Sequence, residues 1–270
     1  MKGKGTLLGL MVAVIAMLVM PVAAQAKTTI TISGSTTVAP LATLLAKAYI
    51  RTKAGSKVGF KILQGGSDIG VSDVARGRVT IGMSSRTPKP SDPGGLVFNE
   101  IAKDALCIAT NPSNRVSDFS EQMVQNVFGG RIRDWKDVSG ARANGTINVV
   151  IRTAASGTQD AFLKIFMGST RVFSGASQKA SNGLIQQAVA SDPQAVGYVG
   201  HSFTKGVSIA NYKGVPCDLR AAKSGQYPGT RPLYFVTNGA ATGVVSKWIN
   251  WIRNNPTALK IAAREWVPFK

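Results

Sequence analysis

The chain has 270 residues, 44% of them hydrophobic, with 32 Lys and Arg against 13 Asp and Glu and a formal charge of +19. That length buries a substantial core, as one large domain or two medium ones. The basic residues are scattered singly (Lys47, Arg51, Lys57, Lys61, Arg76, Arg78, Lys103), with no dense run and no alternation with aromatics. This argues against nucleic acid as a partner and for a solvated basic surface that attracts small anions.

The first segment reads as an export signal. Lys2 and Lys4 form a basic start, "LLGLMVAVIAMLVM" (7–20) an apolar stretch, and Ala24-Gln25-Ala26 a cleavage site after Pro21. The apolar stretch is too short for a comfortable membrane span, so an uncleaved anchor is the lesser reading. Cleavage after Ala26 leaves 270 − 26 = 244 residues with a charge of 32 − 2 − 13 = +17. No cysteine near the cut offers a lipid attachment point, which places the mature chain free in the periplasm.

From Lys27 onward, strand and helix patterns alternate. "TITIS" (29–33) predicts a strand. Residues 38–50 predict a helix with Leu41, Leu44, Leu45, Ala48 and Tyr49 on one face. Strands at 57–63 and 79–83 flank a weakly amphipathic helix over 67–77. This β-α-β-α-β order predicts an α/β sheet with helical crossovers. Farther on, "ALCIAT" (105–110), "TINVVI" (146–151), "AVGYVG" (195–200) and "RPLYFVT" (231–237) predict strands. Helices are expected at 120–130, at 159–168 with Phe162, Ile165 and Phe166 on one face, and at 243–252 with Val245, Trp248, Ile249 and Ile252 aligned. Two cysteines, Cys107 and Cys217, leave two readings open: one bridge, which an oxidising compartment permits, or a buried free thiol at Cys107.

Three strand-to-helix junctions share one character. Gly34, Ser35, Thr36 and Thr37 precede the first helix, and Gly65, Gly66 and Ser67 the second. Ser156, Gly157 and Thr158 precede a third, with Arg152 four positions before the serine. The first N–H groups of a helix lack internal partners, and the helix dipole adds positive charge there. Glycine lets backbone approach a ligand, hydroxyls add donors, and a guanidinium adds charge, so the set suits an oxyanion. An ordinary helix cap is the competing reading of any one junction. A serine nucleophile at Ser156 or Ser35 would need a base, and the single histidine, His201, reads as a polar loop residue. No H-E-x-x-H or G-x-x-x-x-G-K-[ST] motif and no metal-ligand cluster occurs. No catalytic residue, metal or cofactor is therefore expected.

These stretches together resemble the phosphate-binding component of bacterial phosphate ABC transporters. "GSTTVAPLA" and "QGGSDIG…IGMSSR" look like its first phosphate loops, and "RTAASGTQDAF" matches its R-x-x-x-S-G-T-x-x-x-F motif. "VFGGRIRDWKDV", "AVGYVG" and "YPGTRPLYFVT" fall where such proteins carry similar stretches. The resemblance covers most of the mature chain. It implies an α/β, two-lobed type II periplasmic binding-protein fold, with two mixed-sheet lobes joined by hinge strands. Lobe I would comprise 27–107 and 206–270 and lobe II 108–205, with the chain crossing near Cys107–Asn111 and returning near Tyr198–Lys213. Carried over, the ligand groups are the Thr36 hydroxyl and Thr37 backbone, with Ser35 close by, then Ser67, Ser85, Arg152, Ser156, Gly157 and Thr158. The implied partners are inorganic phosphate and the membrane permease subunits, the protein acting as a monomer. Some relatives carry Asp where Ser85 stands, its carboxylate accepting the proton of hydrogen phosphate. A serine hydroxyl donates or accepts, so sulfate, molybdate, arsenate or a phosphonate remain alternative guests, as does an anion-sensing or adhesive use. Asp68 is a candidate substitute acceptor, and Arg86 either adds charge to the site or is a surface arginine.

Overall fold

The alternating β-branched residues of Thr28–Gly34 form strand β1, whose later positions are buried. The computed structural model describes residues 27–270, so the expected export signal lies outside the described residues. Helix α1 (Val38–Tyr49), β2 (Val58–Ile62), α2 (Ser67–Ala75) and β3 (Ile81–Ser84) follow. Strands β2 and β3 flank β1 and both run parallel to it, as the β-α-β-α-β order implies. One helical face differs from expectation. Leu44 is exposed, and the buried stripe is Val38, Leu41, Ala42, Leu45, Ala46 and Tyr49. That i, i+3, i+4, i+7 run leaves Leu44 on the opposite shoulder of the helix.

Next come β4 (Leu96–Thr110), β5 (Asp118–Phe119), α3 (Glu121–Phe128), β6 (Asn148–Arg152) and α4 (Gly157–Phe162). The helix expected over 159–168 starts two residues earlier and widens into a π turn at Leu163–Met167. Then follow β7 (Ser177–Lys179), α5 (Asn182–Ser191), β8 (Ala195–Gly200), β9 (Ser208–Ile209), β10 (Asn211–Tyr212) and α6 (Leu219–Lys223). The chain ends with β11 (Thr230–Asn238), α7 (Gly243–Asn254), α8 (Pro256–Ala262) and β12 (Val267–Pro268). In α7 the expected Val245, Trp248, Ile249 and Ile252 are the buried residues.

The main sheet runs β2-β1-β3-β11-β4-β8-β6-β7. Strand β4 is the shared member. It pairs antiparallel with β11 from Leu96 to Ala105, then with β8 from Leu106 to Thr110. Two large cores lie on either side of this change of partner. Leu41, Leu45, Phe235, Trp248 and Trp266 belong to one, and Phe128, Trp135, Phe162, Phe166 and Tyr198 to the other. Each such side chain, fully buried, stabilises the fold by about 1.5–3 kcal/mol. Tyr212, Ala221, Ala222 and Tyr227 pack in the second core with Leu106 and Ile108.

Cys107 and Cys217 form a disulfide, with Cα atoms 5.6 Å apart and a separation of 110 positions in sequence. The free-thiol reading of Cys107 therefore fails, although the side chain is buried as the apolar run implies. A cross-link closing a loop of about 100 residues constrains the unfolded chain by roughly 4–5 kcal/mol.

Candidate functional site

Because β1, β2 and β3 are parallel, the turns leaving them reach one edge of the sheet, where ligands of such sheets gather. Ser35, Thr36 and Thr37 follow β1, Ser67 opens α2, and Ser85 follows β3. From the other core come Arg152, the last residue of β6, and Ser156, Gly157 and Thr158 at the start of α4. All nine expected site residues are buried.

The structure brings the three junctions together. The Ser35 hydroxyl donates to Ser85 Oγ at 3.0 Å, and Ser67 Oγ lies 3.4 Å from Ser85 Oγ and accepts from the Ser85 N–H at 3.1 Å. Across the two cores, Thr37 Oγ1 and Thr158 Oγ1 are 2.9 Å apart. The Asp68 N–H donates to the Ala155 carbonyl at 3.1 Å. Two glycines make this approach possible. A Cβ on Gly157 would collide with Ser67 Oγ, and one on Gly66, whose φ is 114°, would sit 2.6 Å from the Ala155 carbonyl oxygen.

The hydroxyls are oriented by backbone donors. Ser156 caps α4, accepting from the N–H groups of Thr158 and Gln159 at 3.1 and 3.3 Å. Ser35 Oγ accepts from the Thr37 N–H at 3.2 Å. A capping hydroxyl that accepts in this way keeps its own hydrogen for a further acceptor. For Ser156 that acceptor is free to be a ligand, whereas the Ser35 hydrogen is already directed at Ser85.

Sequence reasoning passed over three residues that complete the cluster. Asn182, the first residue of α5, is fully buried and donates to Thr36 Oγ1 at 3.2 Å and Thr37 Oγ1 at 2.8 Å. Arg231 on β11 stands directly opposite Asp104 on β4. Its guanidinium donates to Asp104 Oδ2 from Nε (3.1 Å) and Nη2 (2.8 Å), and to Thr37 Oγ1 from Nη2 (3.2 Å). Asp104 is 0% exposed and also accepts from the His201 N–H at 3.1 Å.

Arg152 is 2% exposed and meets no carboxylate among the described residues. Its Nε donates to the Lys179 carbonyl at 3.1 Å and its Nη2 to the Ala180 carbonyl at 2.8 Å. Nη1 is buried without a hydrogen-bond partner among the described residues. Burial first, and the nearby Arg231 charge second among the lowering causes, push the guanidinium down to about 10. It is still charged at neutral pH, a buried positive charge with no counter-charge among the described residues.

Arg86 is neither a site cation nor a surface residue. It is buried and forms a fork with Asp92 (2.6 and 2.9 Å) and a bond to Asp68 at 2.7 Å. Arg86 Nε also lies 3.3 Å from Asp160 Oδ2, and Lys89 Nζ 2.5 Å from the same oxygen. The Asp68 carboxylate is committed to this network, which leaves it a poor substitute for a missing acceptor in the anion cluster.

Residues 21–255 match the model of the PBP superfamily domain. The chain belongs to the PBP superfamily. Within it, the phosphate-binding protein PstS of Bacillus subtilis is 27% identical over 235 residues, covering 85% of this chain and 77% of that protein. A Clostridium perfringens substrate-binding protein assigned to phosphate ABC transport, solved with bound phosphate, superposes with a TM-score of 0.84 at 28% identity. The match covers 90% of this chain and all of that one. An ABC-type phosphate transport receptor from Vibrio cholerae gives 0.71 at 26% identity, over 88% of this chain and 99% of that one. The architecture is thus the two-lobed α/β fold of type II periplasmic binding proteins, as the resemblance implied.

Proposed function

We propose that this chain binds inorganic phosphate outside the cytoplasm and delivers it to the membrane permease of an ABC transporter. The observation that carries this reading is Arg152: a buried guanidinium with no carboxylate partner among the described residues, at the end of the strand that leads into the Ser156-Gly157-Thr158 start of α4. The similar proteins named for phosphate point to the same guest. The basic start, apolar stretch and A-x-A site of residues 1–26 support export to the periplasm, where the protein acts as a single copy. The Thr36, Ser67, Ser85, Ser156 and Thr158 hydroxyls and the Gly157 backbone would surround the anion, with Ser35 positioning Ser85. Micromolar binding needs about −8 kcal/mol. Charge-assisted hydrogen bonds of roughly 1.5–3 kcal/mol each reach that after ligand immobilisation is subtracted. Calorimetric titration of dialysed protein with phosphate tests the proposal. Micromolar or tighter binding is expected, and no heat at millimolar phosphate would overturn it.

The two cores support a hinge at the change of partner in β4, between Ala105 and Leu106, and a second where β11 begins. The packing of Tyr212, Ala221, Ala222 and Tyr227 with Leu106 supports grouping residues 208–227 with lobe II. In this arrangement Asp160 of lobe II meets Arg86 and Lys89 of lobe I, an ion-pair latch on the closed form. Partly exposed pairs contribute about 0.2–1 kcal/mol each. Asp160→Asn should therefore weaken phosphate binding by roughly two- to fivefold, through faster release, and the difference should shrink at high salt. Stopped-flow release rates at low and high salt check both points.

A further inference from the structure

We propose that Arg231 is a second charged ligand of the anion, held in place by Asp104. The proposal deepens the phosphate reading and rests on it. Arg231 is 2% exposed, and its Nη1, like that of Arg152, is buried with no hydrogen-bond partner among the described residues. The other guanidinium nitrogens are accounted for. Nε and Nη2 bind the single oxygen Asp104 Oδ2, and Nη2 also reaches Thr37 Oγ1. Asp104 thus fixes one side of the fork and leaves the other free for an acceptor.

Geometry ties this guanidinium, through Nη2, to the cluster of hydroxyls. Thr37 Oγ1, which takes the Arg231 hydrogen bond, is also the atom that meets Thr158 Oγ1 of the second lobe and Asn182 Nδ2. A buried guanidinium paired only for structure would be expected to spend both of its outer nitrogens on protein acceptors, because an unpaired buried donor is costly. Strand β11 also stands three positions from β6 in the sheet, roughly 14 Å at the usual spacing. Arg231 and Arg152 therefore reach the cluster from different strands, one at the hinge and one in the second lobe. With Asp104 counted, the buried charges of the two arginines sum to +1, which a singly charged anion neutralises and a neutral ester does not.

The test separates ligation from packing. Arg231→Met combined with Asp104→Leu removes a buried ion pair as a unit, a change that cores often tolerate. Calorimetry should show phosphate affinity falling at least tenfold, while melting without phosphate changes little. Unchanged affinity in this variant would overturn the proposal. Should it not fold, Arg231→Lys serves instead. Lysine still satisfies Asp104 but has no second outer nitrogen, so a loss of fivefold or more supports ligation and an unchanged constant overturns it. If the unaltered protein binds no phosphate, the proposed function itself falls.

Discussion

Replacing Arg152 should abolish useful phosphate binding while leaving the free protein at least as stable. In Arg152→Met, affinity should fall at least tenfold, because the variant loses a full charge and its charge-assisted hydrogen bonds together. The free protein should melt at the same temperature or higher. Arg152 is buried within reach of the Arg231 charge, and among the described residues its side chain donates to carbonyl groups alone, so its charged form is disfavoured in the fold. The sign follows from its lowered value. A group pushed down to about 10 carries a penalty at every pH below about 10, on the order of 3 kcal/mol, that fades as pH climbs from there toward the ordinary arginine value. A bound anion relieves the same penalty, so phosphate should raise the melting temperature of the natural protein and not that of the variant. Binding should also weaken as pH rises through about 10. Differential scanning calorimetry with and without phosphate reads both effects. A variant that keeps the phosphate-induced shift would place the anion elsewhere.

Removing the Asp104 carboxylate should have the opposite signature. Asp104 is 0% exposed and is the carboxylate that meets Arg231. Asp104→Asn leaves the guanidinium buried without its counter-charge, a situation that costs about 3–5 kcal/mol. At about 2–4 °C per kcal/mol for a chain of this size, melting should fall by roughly 6–20 °C. Added phosphate should restore more stability to this variant than to the natural protein, because the anion then serves as the missing counter-charge. A drop that phosphate does not reduce would mean that Arg231 stands apart from the anion.

The contrast between these two arginines shows what local sequence carries. Arg152 was legible because it sits four residues before Ser-Gly-Thr, inside one continuous strand–turn–helix segment. Ser35, Thr36, Thr37 and Ser67 were legible for the same reason: glycine and hydroxyl residues directly after a strand announce a helix start near a ligand. Arg231 was one basic residue among 32. Its partner, Asp104, lies 127 residues away and is chosen only by the register of β11 on β4. Asn182 carries no local signal of a site, because its contacts with Thr36 and Thr37 span about half of the chain. The first half of β4 has no clear strand pattern because Asn99, Glu100, Lys103 and Asp104 interrupt its apolar positions, and the ion pair that explains Asp104 is a tertiary fact. Arg86 is the same lesson in reverse. Its neighbours in sequence suggested the anion, whereas its carboxylates come from α2, α4 and the loop after β3.

A crystal structure of the protein grown with phosphate decides whether the anion sits among these residues. Tetrahedral density is expected between the lobes, within hydrogen-bond distance of Nη1 of Arg152 and Arg231 and of the Ser67 and Thr158 hydroxyls. Phosphate bound elsewhere, or Arg152 and the α2 and α4 starts turned away from one another around an empty cleft, would contradict it.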